Sequence, residues 1–298
     1  MISQEEAIRK SAVLIESLPY IRQFRGRLVV VKFGGAAMES PEILDQVLRD
    51  VVYMESVGMR PVLAHGGGPA ISAAMKARGK QPVFVKGRRV TDEETLAIAR
   101  DVLVNQINAD ICERLSRLGG HPEPVSNGAD AALIGRKVLF KVRNAQGVEE
   151  EVDLGLVGEV TAVDTQRFWE LTMRGIIPVV APLATNPAGG ALNINADTAA
   201  GFLAGALRAE KVVFLSDTHG ILRDPKDKES LAPTLTGAEI RAMIAAGAID
   251  GGMLPKVEAC LAALAGGVSK AHIVDGRIKH SLLLEIFTDQ GIGTEIVA

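Results

Sequence analysis

The chain is poor in cysteine, poor in histidine, and has no excess of positive charge. Its two cysteines, Cys112 and Cys260, lie too far apart in sequence for a metal-spaced or redox pair, so a reducing compartment with both thiols free is expected. Five histidines without ligand spacing give no reason to expect a zinc site. A net charge of −3 lacks the basic surplus of a nucleic-acid surface, although it leaves room for a few lysines gathered around a small anion. No apolar run reaches the length of a membrane span. The opening MISQEEAIRK is acidic where a targeting leader would be apolar or Arg-rich, so the expected location is the cytoplasm. Two nucleotide-binding strings are missing as well. There is no G-x-x-x-x-G-K-[ST] P-loop, and no glycine cluster has the G-x-G-x-x-G spacing.

Hydrophobic residues make up 47% of the 298 and charged residues 23%, the balance of a globular chain with one large domain or two smaller ones. Short β-branched runs recur at 28–33, 61–65, 176–182, 211–216 and 271–275. Helical periodicity fills 41–58, 95–119 and 197–209. Strands apolar on both faces, alternating with helices, predict a mostly parallel sheet covered on both sides. The class is α/β, a three-layer αβα sandwich around a mostly parallel central sheet. The stretch 137–154 breaks the rhythm and reads as a protruding β-hairpin that turns at Asn144–Gly147.

In open α/β sheets, ligands sit beyond the carboxyl ends of the strands. The first strand ends on Lys32-Phe33-Gly34-Gly35, where glycines let backbone N–H groups approach an anion and a lysine adds charge. Alone, that string fits a tight turn with a solvated lysine equally well. The second strand ends on His65-Gly66-Gly67-Gly68-Pro69 and then enters a helix. Three glycines exceed what a turn needs, and a helix N-terminus attracts anions, so this loop favours a binding role. His65 itself reads as a hydrogen-bonded strand-end residue. Asn193, Asn195 and Asp197 precede a further helix, and an ordinary Asx cap competes for any one of them. Gly251, Gly252 and Lys256 open another helix, where a solvated lysine after a flexible loop is the competing reading.

Taken in order, KFGG (32–35), HGGGP (65–69), KGRRVTDEE (86–94), LNINAD (192–197), FLSD (214–217), GGMLPK (251–256) and HSLLLEIFTDQGIGT (280–294) resemble the amino acid kinase family over essentially the whole chain. HGGGP, RVT and NINAD together resemble its acetylglutamate branch, and the final string resembles the arginine-regulated members. The resemblance implies ATP with Mg2+ and transfer of a phosphoryl group to the γ-carboxylate of N-acetyl-L-glutamate, in arginine biosynthesis. It places the phosphate-clamping lysines at Lys32 and Lys256 and the aspartate that organises them at Asp197. Gly34 and Gly35 would bind the transferred phosphoryl group, and Gly67 and Gly68 the acetylglutamate. Arg89, with Arg88 as the neighbouring candidate, would take the α-carboxylate, Asn193 the acetamido region, and Asp217 the nucleotide. No metal ligand is implied among the side chains.

The chain departs from the family pattern at Asn127-Gly128-Ala129-Asp130, where relatives carry a lysine in place of Ala129, and at Asp217-Thr218-His219-Gly220. Arginine is implied as an inhibitor held by Tyr20, Lys211, Glu285, Gly291 and Gly293. The expected organisation is an N-terminal oligomerisation helix (1–25), a substrate lobe (26–195) and a nucleotide lobe with a C-terminal regulatory segment (196–298). A dimer, assembled into a hexamer through the N-terminal helix, is the implied state. Ser3 and Glu6 have capping-box spacing, and Ile8, Ile15 and Leu18 follow at helical intervals before Pro19 interrupts. The alternatives are a related kinase acting on glutamate, aspartate or an aminoadipate derivative, and an inactive sensor of amino acids or nucleotides.

Overall fold

The computed structural model describes residues 3–35, 38, 40–85, 87–125, 132–143, 149–224, 226–227, 229–288 and 291–298. Helix α1 (Gln4–Phe24) leads into β1 (Leu28–Phe33), α2 (Pro41–Ser56), β2 (Arg60–His65) and α3 (Gly68–Ala77). Next come a short pair, β3 (Phe84–Val85) and β4 (Arg88–Arg89), then α4 (Glu93–Arg100), a π-helical segment (Asp101–Asn108) and α5 (Ala109–Arg117). After β5 (Pro122–Val125) the long strands β6 (Leu133–Arg143) and β7 (Glu149–Val163) pair antiparallel. Then follow α6 (Thr165–Met173), β8 (Ile177–Val180), β9 (Leu183–Thr185), β10 (Ala191–Ile194), α7 (Ala196–Ala206) and β11 (Lys211–Ser216). The chain finishes with β12 (Thr234–Thr236), α8 (Gly237–Ala245), α9 (Leu254–Ala265), β13 (Lys270–Asp275), α10 (Ser281–Ile286) and β14 (Thr294–Val297).

Among the described residues, eight strands form one sheet in the order β12-β14-β13-β11-β1-β2-β8-β5. Only the β13–β14 pair is antiparallel. β1 sits inside this sheet, between β2 and β11, and both its faces are covered. Val29, Val31 and Phe33 join the core under α2, whereas Leu28 and Val30 join the core under α7 and α9. This explains the unbroken apolar run, since a strand buried on both faces shows no alternation. Strand parity then puts Lys32 on the Val30 side, beneath α7. The hairpin expected over 137–154 is longer, spanning β6 and β7, and rather than standing alone it closes with β9 and β10 into a four-stranded barrel separate from the main sheet. Its turn at Asn144–Gly147 lies outside the described residues, as does the Asn127–Asp130 departure.

Two further expectations are corrected. Pro19 does not end the first helix, which continues to Phe24. Proline removes one donor, but Tyr20 and Phe24 beyond it pack against the body of the molecule and hold the last turn in place. The single helix expected over 95–119 is interrupted by the π segment, which carries Leu103 and Ile107 against the glycines after β2. No helix of the described residues is long and apolar enough to cross a membrane.

Candidate functional site

The carboxyl ends of β1 and β2 and the N-terminus of α7 surround a cavity of about 220 Å³. Lys32, Gly34, Gly35, Gly67, Gly68, Arg89, Asn193 and Asp197, drawn from four separate stretches of sequence, all line it. Lys32 Nζ lies 2.6 Å from Asp197 Oδ1, and Lys256 Nζ, from the first turn of α9, lies 3.1 Å from Asp197 Oδ2. All three side chains are largely shielded from solvent. Burial alone would push the Asp197 carboxyl up, but the charges of Lys32 and Lys256 outweigh it and hold the group below the usual carboxylate range. The arrangement is a carboxylate shared by two cations. It leaves one positive charge in surplus.

The three Asx residues divide the work. Asn195 is the helix cap, its side chain accepting from the Thr198 N–H at 3.0 Å. Asp197 faces the lysines. Asn193 Nδ2 donates to Thr91 Oγ1 at 3.1 Å, and that hydroxyl donates to the Arg89 carbonyl at 2.8 Å, so the NINAD and RVT strings are tied together. The Arg89 guanidinium donates to the Gly68 carbonyl and to Ser72 Oγ, each at 2.9 Å, and rests over the Phe84 ring.

Glycine is needed here for two different reasons. Gly35 has φ +58°, in the left-handed region that side chains disfavour. Gly67 is ordinary in φ, but a Cβ there would come within 2.6 Å of Leu103 and 2.8 Å of Ile107. His65, fully buried, holds the loop from below. Asn108 Nδ2 donates to its Nε2 at 3.1 Å, which leaves Nδ1 to donate to the Gly66 carbonyl at 2.9 Å. Burial pushes its pKa down to about 4, so the ring is neutral at ordinary pH. Asn108 carried no local sequence signal, because it sits mid-helix and its partners are distant in sequence.

Asp217 stands apart from this cavity. With Thr218, His219, Met253 and Arg277 it lines a second one of about 410 Å³, in which Arg277 forks onto the buried Asp275.

The remaining candidates gather at the other end of the sheet. Tyr20, Lys211, Glu285 and Gly291 line a cavity of about 210 Å³, and the Gly293 N–H donates to Glu285 Oε2 at 3.2 Å. His272, a strand residue in the same wall, carries no local sequence signal. Its Nδ1 is 2.7 Å from Glu285 Oε1, and its buried Nε2 has no partner among the described residues. Burial lowers the pKa of His272, which makes the neutral ring with an acceptor at Nε2 the favoured form. Asp50 and His280 are a further pair without a sequence signal. His280 Nδ1 lies 2.6 Å from an Asp50 carboxylate oxygen, and burial raises Asp50 to about 6.

Comparison with known proteins places the chain as a whole. A protein of Pelotomaculum thermopropionicum named acetylglutamate kinase is 50% identical over 288 residues, spanning 96% of this chain and 97% of that protein. The N-acetylglutamate synthase from Neisseria gonorrhoeae, complexed with coenzyme A and N-acetyl-glutamate, superposes with a TM-score of 0.83 at 29% identity. That match covers 97% of this chain and 63% of the synthase. The same synthase complexed with coenzyme A and L-arginine gives 0.78 at 28% identity, covering 96% of this chain and 65% of that one. Residues 27–275 match the amino acid kinase family model. With that model matched over most of its length and a relative named acetylglutamate kinase half identical to it, the chain belongs to the amino acid kinase family and is a kinase.

Proposed function

We propose that this enzyme transfers the γ-phosphoryl group of ATP to the γ-carboxylate of N-acetyl-L-glutamate, giving N-acetylglutamyl 5-phosphate in arginine biosynthesis, and that arginine inhibits it. The observation that carries the reading is Asp197 held between Lys32 and Lys256, with Arg89 and Asn193 lining the same cavity as Lys32 and Asp197. A carboxylate nucleophile has a reference pKa of about 4.3 and is already ionised at neutral pH, so no general base is required. One of its oxygens attacks the γ-phosphorus, the bond to the β-phosphate bridging oxygen breaks, and ADP leaves with that electron pair. The obstacle is anion meeting anion. Lys32 and Lys256 offset the repulsion, and the backbone N–H groups of Gly34 and Gly35 take the phosphoryl oxygens.

Gly67, Gly68, Arg89 and Asn193 bind and orient the acceptor, with Arg89 on its α-carboxylate. Asp217 belongs to the nucleotide cavity, consistent with a substrate lobe of 26–195 and a nucleotide lobe of 196–298. Bound Mg2+ would further neutralise the phosphates. Asp197, engaged by both lysines, is committed to them, and among the described residues no cluster of three or more acidic, His or Cys side chains offers a separate metal site.

Arginine fits the cavity at the other end of the sheet. Its guanidinium would donate to Glu285 and to the bare His272 Nε2, and Lys211 with the loop around Gly291 and Gly293 would take its carboxylate, with Tyr20 closing the wall. The relative complexed with L-arginine supports this reading. The expected state is a cytoplasmic dimer that α1 links into a hexamer. In support, Ile8, Leu14 and Ile15 on α1 are each more than 60% exposed, an apolar stripe without cover in the single chain. An ADP-release assay with acetylglutamate, glutamate and aspartate tests the reaction, and turnover with glutamate or aspartate in place of acetylglutamate would overturn it.

A further inference from the structure

Four charged side chains line the Lys32 cavity, and three are already engaged. Lys32 and Asp197 pair with each other, and Arg89 is hydrogen-bonded to Gly68 and Ser72. The fourth, Arg88, makes no hydrogen bond or ion pair among the described residues. Its guanidinium is held instead by the Phe140 ring on β6, with Cζ 4.6 Å from the ring centroid. Arg88 and Arg89 are consecutive on β4, so their side chains leave the backbone on opposite sides. Arg89 turns to the start of α3, and Arg88 turns to the hairpin. The acidic groups that act on Arg88 are Glu159 on β7 and Glu258 on α9, both too far for an ion pair. Arg88 lines the same cavity as Lys32, Gly34, Gly35 and Asp197, so its guanidinium shares the space of the lysine-clamped carboxylate.

A half-buried guanidinium with five donors and no acceptor is costly until an anion arrives. Its ring support limits the rotamer freedom lost on binding. We propose that Arg88 is a further substrate-binding residue that takes the phosphoryl group during transfer, a task distinct from the grip of Arg89 on the acceptor's α-carboxylate. The inference rests on the carboxylate-kinase reading. Arg88 supplies a further cation, held against the Phe140 ring, in the same cavity as Lys32 and Asp197, where charge spreads over the phosphoryl oxygens as the bond to ADP breaks. Its effect therefore falls on turnover.

The test is steady-state kinetics of Arg88→Gln, Arg88→Lys and Phe140→Leu with both substrates, alongside thermal melting of each protein. The unaltered enzyme is assayed first: inactivity with acetylglutamate would refute the parent reading, whereas an active enzyme isolates the role of Arg88. Arg88→Gln is expected to lower kcat about 10- to 100-fold, the loss typical of one charge-assisted hydrogen bond, with KM for acetylglutamate changed less than threefold. Arg88→Lys should restore part of that turnover by returning the charge. Phe140→Leu, which removes only the ring support, should lower kcat about two- to fivefold. A kcat within twofold of normal in Arg88→Gln overturns the proposal. So does a loss confined to KM for acetylglutamate, which would assign Arg88 to the acceptor carboxylate, or a lowered melting temperature with unchanged kcat, which would make it a packing residue.

Discussion

Two buried charge clusters lie at opposite ends of the same parallel strands, and they are assembled from similar parts. At the carboxyl end, Lys32, His65 and Asp197 meet glycine-rich loops. At the amino end, Lys211, His272 and Glu285 meet another glycine-containing loop. Their balances differ. Asp197 is outnumbered by lysines, and His65 has both ring nitrogens engaged. Glu285 takes the His272 N–H and the backbone N–H groups of Ile292 and Gly293, while His272 keeps one nitrogen without a partner among the described residues. The first cluster has donors and positive charge to spare and suits an anion. The second has an unpaired acceptor beside a carboxylate, which suits a donor-rich cation. Chemically similar inventories acquire opposite charge preferences through how many partners each group already has.

Substitutions can break this contrast in turn. The largest effect is expected from Lys32→Ala or Lys256→Ala, each lowering kcat about 100- to 1000-fold, because the charge matters most in the transition state. Near-normal kcat in either variant would show that lysine to serve only its ion pair with Asp197 and not the transfer.

His65→Gln sharpens the contrast between the two histidines. The folded-state pKa of His65 is lowered from 6.5 to about 4. The unfolded chain therefore binds the extra proton between those values, so the stabilisation is complete above pH 6.5 and is lost as pH falls towards 4. The loss amounts to up to about 3 kcal/mol. Denaturant titrations from pH 7 to 4 should show a shallower decline in the variant than in the unaltered enzyme. Equal declines would mean that the ring titrates normally in the folded protein.

Arg89→Ala should raise KM for acetylglutamate roughly 10- to 100-fold while changing KM for ATP far less. Comparable losses for both substrates would make Arg89 a support of the loop it bonds to. Glu285→Gln should leave kcat near normal and weaken arginine inhibition about 10-fold, as expected for loss of a paired carboxylate. Inhibition that stays equally strong would place the effector elsewhere. The smallest catalytic change belongs to deletion of residues 1–20, which removes the exposed stripe of α1. Light scattering should then report a dimer, with activity retained and arginine inhibition reduced. A truncated enzyme that keeps both its assembly and its arginine response would show that the helix packs only on its own subunit.

Much of the first cluster was legible because its residues sit in short strings with a local oddity: a lysine and glycines ending a buried strand, three glycines before a proline, three Asx residues before a helix. The alternating core and the hairpin were legible for the same reason, since periodicity is local. The second cluster was reachable only through family resemblance, and that route missed His272, which looks like any residue of a buried strand. Arg88 and Arg89 could not be separated by type, because both are arginines in one string.

Sequence by itself determined the α/β alternation, the buried double-faced strands and the glycine loops at their ends, because backbone preference and burial act over a few residues. Tertiary structure alone decided the pairings. Strand parity and the crossing of β1 with α7 turned Lys32 onto Asp197, 165 positions away. The π segment brought Asn108 to His65, and packing beyond Pro19 carried α1 through to Phe24. Those outcomes depend on which partners each polar group finds once the core has formed, and the free energy that selects them is shared among residues that no local window contains.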